Sequence, residues 1–201
     1  MPEKHLGRQT VRFDFPPSIL GAASIVGKKE GQGPLAKTFD EIHEDTKFGQ
    51  TTWEKAETQM QILALRRALQ KASIPGGALD VLFAGDLLNQ CIGTSFAARE
   101  SGVPFYGLYG ACSTMAESLS LAAMAVEGGF VRHAGAMTSS HFASAERQYR
   151  LPLEYGGQRT PTAQWTVTGS GAVILGPNGA PPYIRGVTTG KVVDLGITDA
   201  N

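Results

Sequence analysis

Apolar residues recur at helical spacing from Trp53 to Pro75. Ala56, Met60, Leu63, Ala64 and Ala68 share one stripe, Thr51 and Glu54 have capping-box spacing at its start, and Pro75-Gly76-Gly77 closes it. A second stripe, Met115, Leu119, Ala122, Ala123 and Val126, follows Thr114 and Glu117 at the same spacing. It ends at Gly128-Gly129, where a left-handed C-cap is expected. A shorter helix is predicted over 94–100, closed by Gly102 and Pro104. Between the stripes lie short continuous apolar runs, Ile19 to Val26, Leu79 to Gly85, Phe105 to Tyr109 and Val131 to Met137. Their lengths and bounding turn residues are those of buried strands.

Strands alternating with helices predict right-handed crossovers and a sheet covered on both faces. After Ala163 the pattern changes. Gln164 to Leu175 is extended and interrupted by Gly169-Ser170-Gly171, Asn178-Gly179 signals a hairpin, and Tyr183 to Val193 is again extended. The tail is therefore predicted to be antiparallel. Two stretches carry no period, 27–49 and 142–162, and are predicted as loops inserted into one α/β domain spanning 1–201; loops of that length are usually functional.

Composition narrows the function classes. Of 201 residues 42% are hydrophobic, and 18 basic side chains balance 18 acidic ones, so no global field recruits nucleic acid or an anionic membrane. Two cysteines, Cys91 and Cys112, argue against a disulfide scaffold, and no Cys/His spacing resembles a zinc site; no metal is predicted. No apolar run approaches about 18 residues, so neither a membrane span nor a secretory signal is expected.

The candidate chemistry centres on Cys112. A strand-like run passes through Tyr109-Gly110-Ala111 and delivers this thiol to the start of a helix. Aligned peptide dipoles and free N–H groups there either lower a thiol's pKa or hold a carboxylate or phosphate. Cys112 thus reads as a nucleophile or as the lining of an anion pocket, and Ser113 and Thr114 share the position. Ser139, Ser140 and His141 follow the fourth predicted strand, where the strand ends of an α/β sheet face a ligand crevice. The following loop holds Arg147, Tyr149, Arg150, Tyr155, Arg159, Gln164 and Trp165, guanidinium forks and aromatic faces suited to a planar anion. Arg159 is the best cationic candidate because Gly156-Gly157 and Pro161 constrain its backbone. Arg147 reads as solvated loop charge, His133 as a core or interface histidine, and Trp53 as core.

Four patterns in order resemble the thiolase superfamily, which includes the ketoacyl synthases. They are Val81 to Gln90, the nucleophile turn Ala111-Cys112-Ser113-Thr114, Val131 to Ser139, and the glycine turn Gly169-Ser170-Gly171-Ala172. Longer stretches, Val26 to Leu35, Thr52 to Glu57, Ala84 to Gln90, Tyr109 to Thr114 and Val192 to Asp199, resemble the stage V sporulation protein AD family of spore-forming bacteria. The superfamily implies a five-stranded mixed sheet in the order 3-2-1-4-5, the last strand antiparallel, and a dimer paired through the 105–109 strand. The narrower resemblance implies dipicolinate as ligand, free or as its calcium chelate, with no cofactor. It also implies work with other stage V sporulation A-group membrane proteins, peripherally at the cytoplasmic side of the spore inner membrane, in uptake and release of the ligand. Ligand contacts are then expected from Cys112, Ser113, Thr114, Ser139, Ser140, His141, Arg159 and Gln164.

Thiolase-like proteins have two similar halves, and this chain corresponds to the first. The superfamily's catalytic histidine belongs to the second, so a non-catalytic binding protein is expected, with Cys112 vestigial. Two alternatives stand beside it, a Cys112-dependent acyltransferase that draws its base from elsewhere and a docking subunit for membrane proteins.

Overall fold

The computed structural model describes residues 3–149 and 166–198. The strands are β1 (His5–Leu6), β2 (Thr10–Arg12), β3 (Ser18–Gly27), β4 (Glu41–His43), β5 (Val81–Gly85), β6 (Phe105–Gly107), β7 (Ala134–Ser140), β8 (Gly169–Gly176) and β9 (Gly186–Thr188). The helices are α1 (Trp53–Ala72), α2 (Ile92–Ser101), α3 (Thr114–Glu127) and α4 (Phe142–Tyr149). Helix α1 starts one residue later than its spacing predicts, because Thr52 is the residue whose side chain accepts the Lys55 N–H.

Six strands form the main sheet in the order β4-β3-β8-β7-β5-β6. Strand β8 is antiparallel to both its neighbours, β3 and β7, while β3–β4, β5–β6 and β5–β7 are parallel. Alternation along the strands separates two cores. Leu82, Met137 and Ile174 meet Ala56, Met60, Ala64 and Ala68 of α1 on one face. On the other, Phe83, Ala136 and Leu175 meet Ala122, Ala123 and Val126 of α3.

The mixed α/β sheet with an antiparallel last strand is as expected, but its order is not. Counted as the five predicted strands, it runs 3-2-4-5-1, with β4 added outside, and β5 does not pair with β3. The cause is local. An antiparallel strand can lie beside its predecessor without a crossover, so β8 runs back along β7 from Ser140↔Gly169 to Ala134↔Leu175 and offers its free edge to β3.

Three further expectations change. The supposed loops contain β4, which pairs with Ile25 to Gly27, and α4. Strand β7 lies three residues farther along than predicted, so Thr138, Ser139 and Ser140 are strand rather than turn. Asn178 does turn the chain with a φ of 57°, yet no hairpin follows; β9 pairs with β2 in a separate sheet, β1-β2-β9.

Candidate functional site

The Cys112 turn is positioned by contact with β5. Leu108 donates its N–H to the Ala84 carbonyl at 2.8 Å, and the turn lies so close that a Cβ on Gly85 would sit 1.9 Å from the Leu108 oxygen. Only glycine admits that approach. Beyond it, Ala111 takes a left-handed φ of 48°, and a short turn over Ala111–Ser113 leads into α3. The predicted capping box does not form: Thr114 Oγ1 accepts from the Gly110 N–H at 3.2 Å, and Ser113 Oγ donates to the Gly110 carbonyl at 2.7 Å. Helix α3 consequently opens without a side-chain cap. Cys112 is exposed.

Beside it lies a cavity of about 520 Å³, lined by Cys112, Met115 and Leu87 and by sheet residues that include Val26, Ser140 and Gly171. Gly171 keeps the floor low, since a Cβ there would meet Met115 Cε at 3.3 Å. The Ser140 hydroxyl is buried at this edge with no hydrogen-bond partner among the described residues.

Of the predicted contacts, Cys112, Ser139 and Ser140 line this cavity. Ser139 does so with its hydroxyl turned away. Its Oγ bonds Glu57 and Gln61 of α1, on the opposite side of the sheet from α3. Ser113 and Thr114 adjoin the cavity without lining it. His141 is fully buried outside it. Its Nε2 donates to the Thr46 carbonyl at 2.8 Å and its Nδ1 accepts from the Ala143 N–H at 3.1 Å, which assigns the neutral tautomer. Burial holds its pKa below the usual histidine range, against the opposing bond to Thr46. Arg159 and Gln164 lie outside the described residues, as do Arg150, Tyr155 and Trp165. No His/Cys/Asp/Glu group suited to a metal occurs among the described residues.

A buried polar network escaped the sequence reading. Glu57 Oε1 accepts from Ser139 Oγ at 2.8 Å and Oε2 from Ser144 Oγ at 2.5 Å. Gln61 Nε2 donates to Ser139 Oγ and to Thr94 Oγ1, and Thr94 donates its hydroxyl and N–H to Asp86. Burial, reinforced by the Asp86 and Glu54 charges and opposed by the two serine bonds, pushes the Glu57 pKa up to about 7. The signal was present in the pattern: Glu57 and Gln61 are one turn apart on the stripe that buries Ala56, Met60, Ala64 and Leu65.

The fold as a whole is thiolase-like, shared with solved condensing-enzyme structures. The priming β-ketosynthase of a polyketide pathway shares it at a TM-score of 0.54 and 22% identity, covering 90% of this chain and 54% of that one. The 3-oxoacyl-(acyl carrier protein) synthase III of Aquifex aeolicus gives 0.54 at 17% identity, over 82% and 55% of the two chains. OleA of Xanthomonas campestris gives 0.55 at 17%, over 83% and 59%. Within that class the chain belongs to the stage V sporulation protein AD family, whose sequence profile matches residues 7–201. Stage V sporulation protein AD of Bacillus subtilis (strain 168) is 45% identical over 196 residues, which cover 98% of this chain and 58% of that protein.

Proposed function

We propose that this chain supplies the Cys112 side of a dipicolinate site in a sporulation protein that keeps the ketosynthase fold for binding rather than for acyl transfer. The observation that carries this reading is the uncapped start of α3 beside the cavity. The turn before α3 engages the Ser113 N–H with the Gly110 carbonyl and the Thr114 N–H with the Ala111 carbonyl, so the positive end of the helix dipole draws one carboxylate, and the Ser140 hydroxyl, unpartnered among the described residues, offers a donor at the same edge. Arg159 and Gln164 are proposed to meet the second carboxylate. Catalysis would need a base at the thiol, and His141 does not supply one, because backbone groups engage both its ring nitrogens.

The protein would act at the cytoplasmic side of the spore inner membrane, with other stage V sporulation A-group membrane proteins, in uptake and release of dipicolinate or its calcium chelate. Among the described residues no helix is long and apolar enough to cross a membrane. Calorimetric titration with dipicolinate, with and without calcium, tests the reading. Cys112→Ala is expected to leave affinity within about twofold, whereas Arg159→Ala removes a charge-assisted bond and weakens it about tenfold or more. The reverse ranking sinks the assignment.

A second reading has its own observation. Met115, Leu87, Val26 and glycine backbone make the cavity wall beside an exposed thiol largely apolar, which suits an acyl chain on Cys112. Iodoacetamide separates the two: an alkylation rate at neutral pH far above that of a free thiol favours acyl transfer.

A further inference from the structure

We infer that Glu57 and Ser144 form a proton-responsive clasp that holds α4 on α1, and that loss of the proton frees the helix leading to the rim of the Cys112 cavity. The clasp is a cluster of buried groups with no counter-ion among the described residues. Glu57 is fully buried, and among those residues its two oxygens accept from the hydroxyls of Ser139 on β7 and Ser144 on α4. The charged groups facing it are both acids, Glu54 on its own helix and Asp86 between β5 and α2. Helix α2 brings Gly93 against Glu57 and Thr94 against Gln61. Bonds run unbroken from Asp86 through Thr94, Gln61 and Ser139 to Glu57, with no ammonium or guanidinium among the described partners. A carboxyl buried beside another acid in a dry interior holds its proton more readily than a charge.

The protonated form closes with both Glu57 oxygens hydrogen-bonded. A proton on Oε2 is donated to Ser144 Oγ, and Ser144 turns its own hydrogen to the His141 carbonyl, 3.2 Å away. When that proton leaves for bulk water, a charge remains buried beside Asp86, and separating α4 from α1 hydrates it. Among the described residues the helix is also held by Phe142 against Trp53 at 5.6 Å and by buried Ala145. Its first residue is tied to the cavity, since the Phe142 N–H donates to Thr168 Oγ1 at 3.1 Å and Thr166 and Val167 line the cavity.

The sign follows from the two environments. Hydrated Glu57 titrates near its ordinary 4.5 and clasped Glu57 near 7, so the clasp is strongest below 4.5, weakens as pH rises to about 7 and is constant above that. The open population is expected to grow on the order of a hundredfold across the window. Site-resolved hydrogen exchange on this chain without ligand tests it, after correction for intrinsic rates, with β3 and β8 amides as reference. Across pH 5 to pH 7.5 protection of 142–149 relative to that reference should decline in the wild type against Glu57→Gln; buried His141 at the start of the helix, whose pKa lies below its ordinary value, works in the opposite sense and equally in both proteins. Wild-type and Glu57→Gln profiles that run parallel, or an α4 unprotected at every pH, would overturn the clasp. Should Glu57→Gln not fold, Ser144→Ala decides: it removes a hydroxyl that steadies the carboxylate, so the decline of protection with pH should persist or steepen, and an α4 indifferent to pH in that variant is equally fatal. No dipicolinate enters the experiment, so its failure leaves the binding reading untouched.

Discussion

Glu57 shows how a single side chain can set a protein's pH response. Its carboxyl is held near 7 when folded against about 4.5 when exposed, so the folded state retains a proton that the unfolded chain releases. The cost of ionising it in place is absent below pH 4.5, grows through the interval and is complete above about pH 7. Replacing it with Gln removes that cost. Denaturant unfolding is expected to find Glu57→Gln more stable than wild type at pH 8, by up to about 3 kcal/mol, and no more stable at pH 4. A loss of stability at pH 8 would show that the two serine bonds outweigh burial. At this scale the sequence was legible where geometry is strict. The Cys112 turn stood out because Gly110 and a helix start flank the thiol, and His141 was misread because a polar cluster after an apolar run looks the same whether it lines a crevice or caps the interior with backbone bonds.

Among elements, the long helices were legible and several short strands were not. Helix α1 spans twenty residues and repeats its apolar positions five times over, whereas β1, β2 and β4 are two or three residues long and cannot display a period; β6 and β9, equally short, showed only as parts of the longer extended runs 105–109 and 183–193. Strand β4 exists only because Ile25 to Gly27 offers an unpaired edge to Glu41–His43. The start of α1 offers a direct check. Thr52 Oγ1 accepts the Lys55 N–H at 3.2 Å, so Thr52→Ala is expected to lower stability by about 1 kcal/mol, read as a shifted denaturation midpoint with unchanged slope. Thr51→Ala, at the position the spacing favoured, should be close to neutral.

For the whole molecule, the fold class was readable and the strand order was not, because alternation of elements is local while pairing depends on residues far apart. Ser24 opposes Gly171, and nothing near either residue announces the other. The sheet also ends in an edge that the interior leaves open. Strand β6 pairs on one side only, and Tyr106 is 62% exposed while stacking on Phe83 at 5.2 Å. An aromatic edge of this kind is a template for another strand, and we propose that a second copy occupies it. Light scattering should then find a dimer for the wild type and a folded monomer for Tyr106→Asp; a wild-type monomer at high concentration removes the proposal.

The insertion of β8 between β3 and β7 also imposes a timetable. Strand β3 is made before β5, β7 and β8 and has its widest partner in β8, the last of these, whereas β5, β6 and β7 can assemble from neighbouring segments. Loop closure must precede the non-local pairing. The apolar strand Ser18–Gly27 therefore waits while a parallel three-stranded nucleus forms around α3, and it is the part of a nascent chain most in need of a chaperone. Pulse-labelling during refolding should protect β5 and β7 amides before those of β3, and a β3 protected first would mean that the sheet is seeded from its other side.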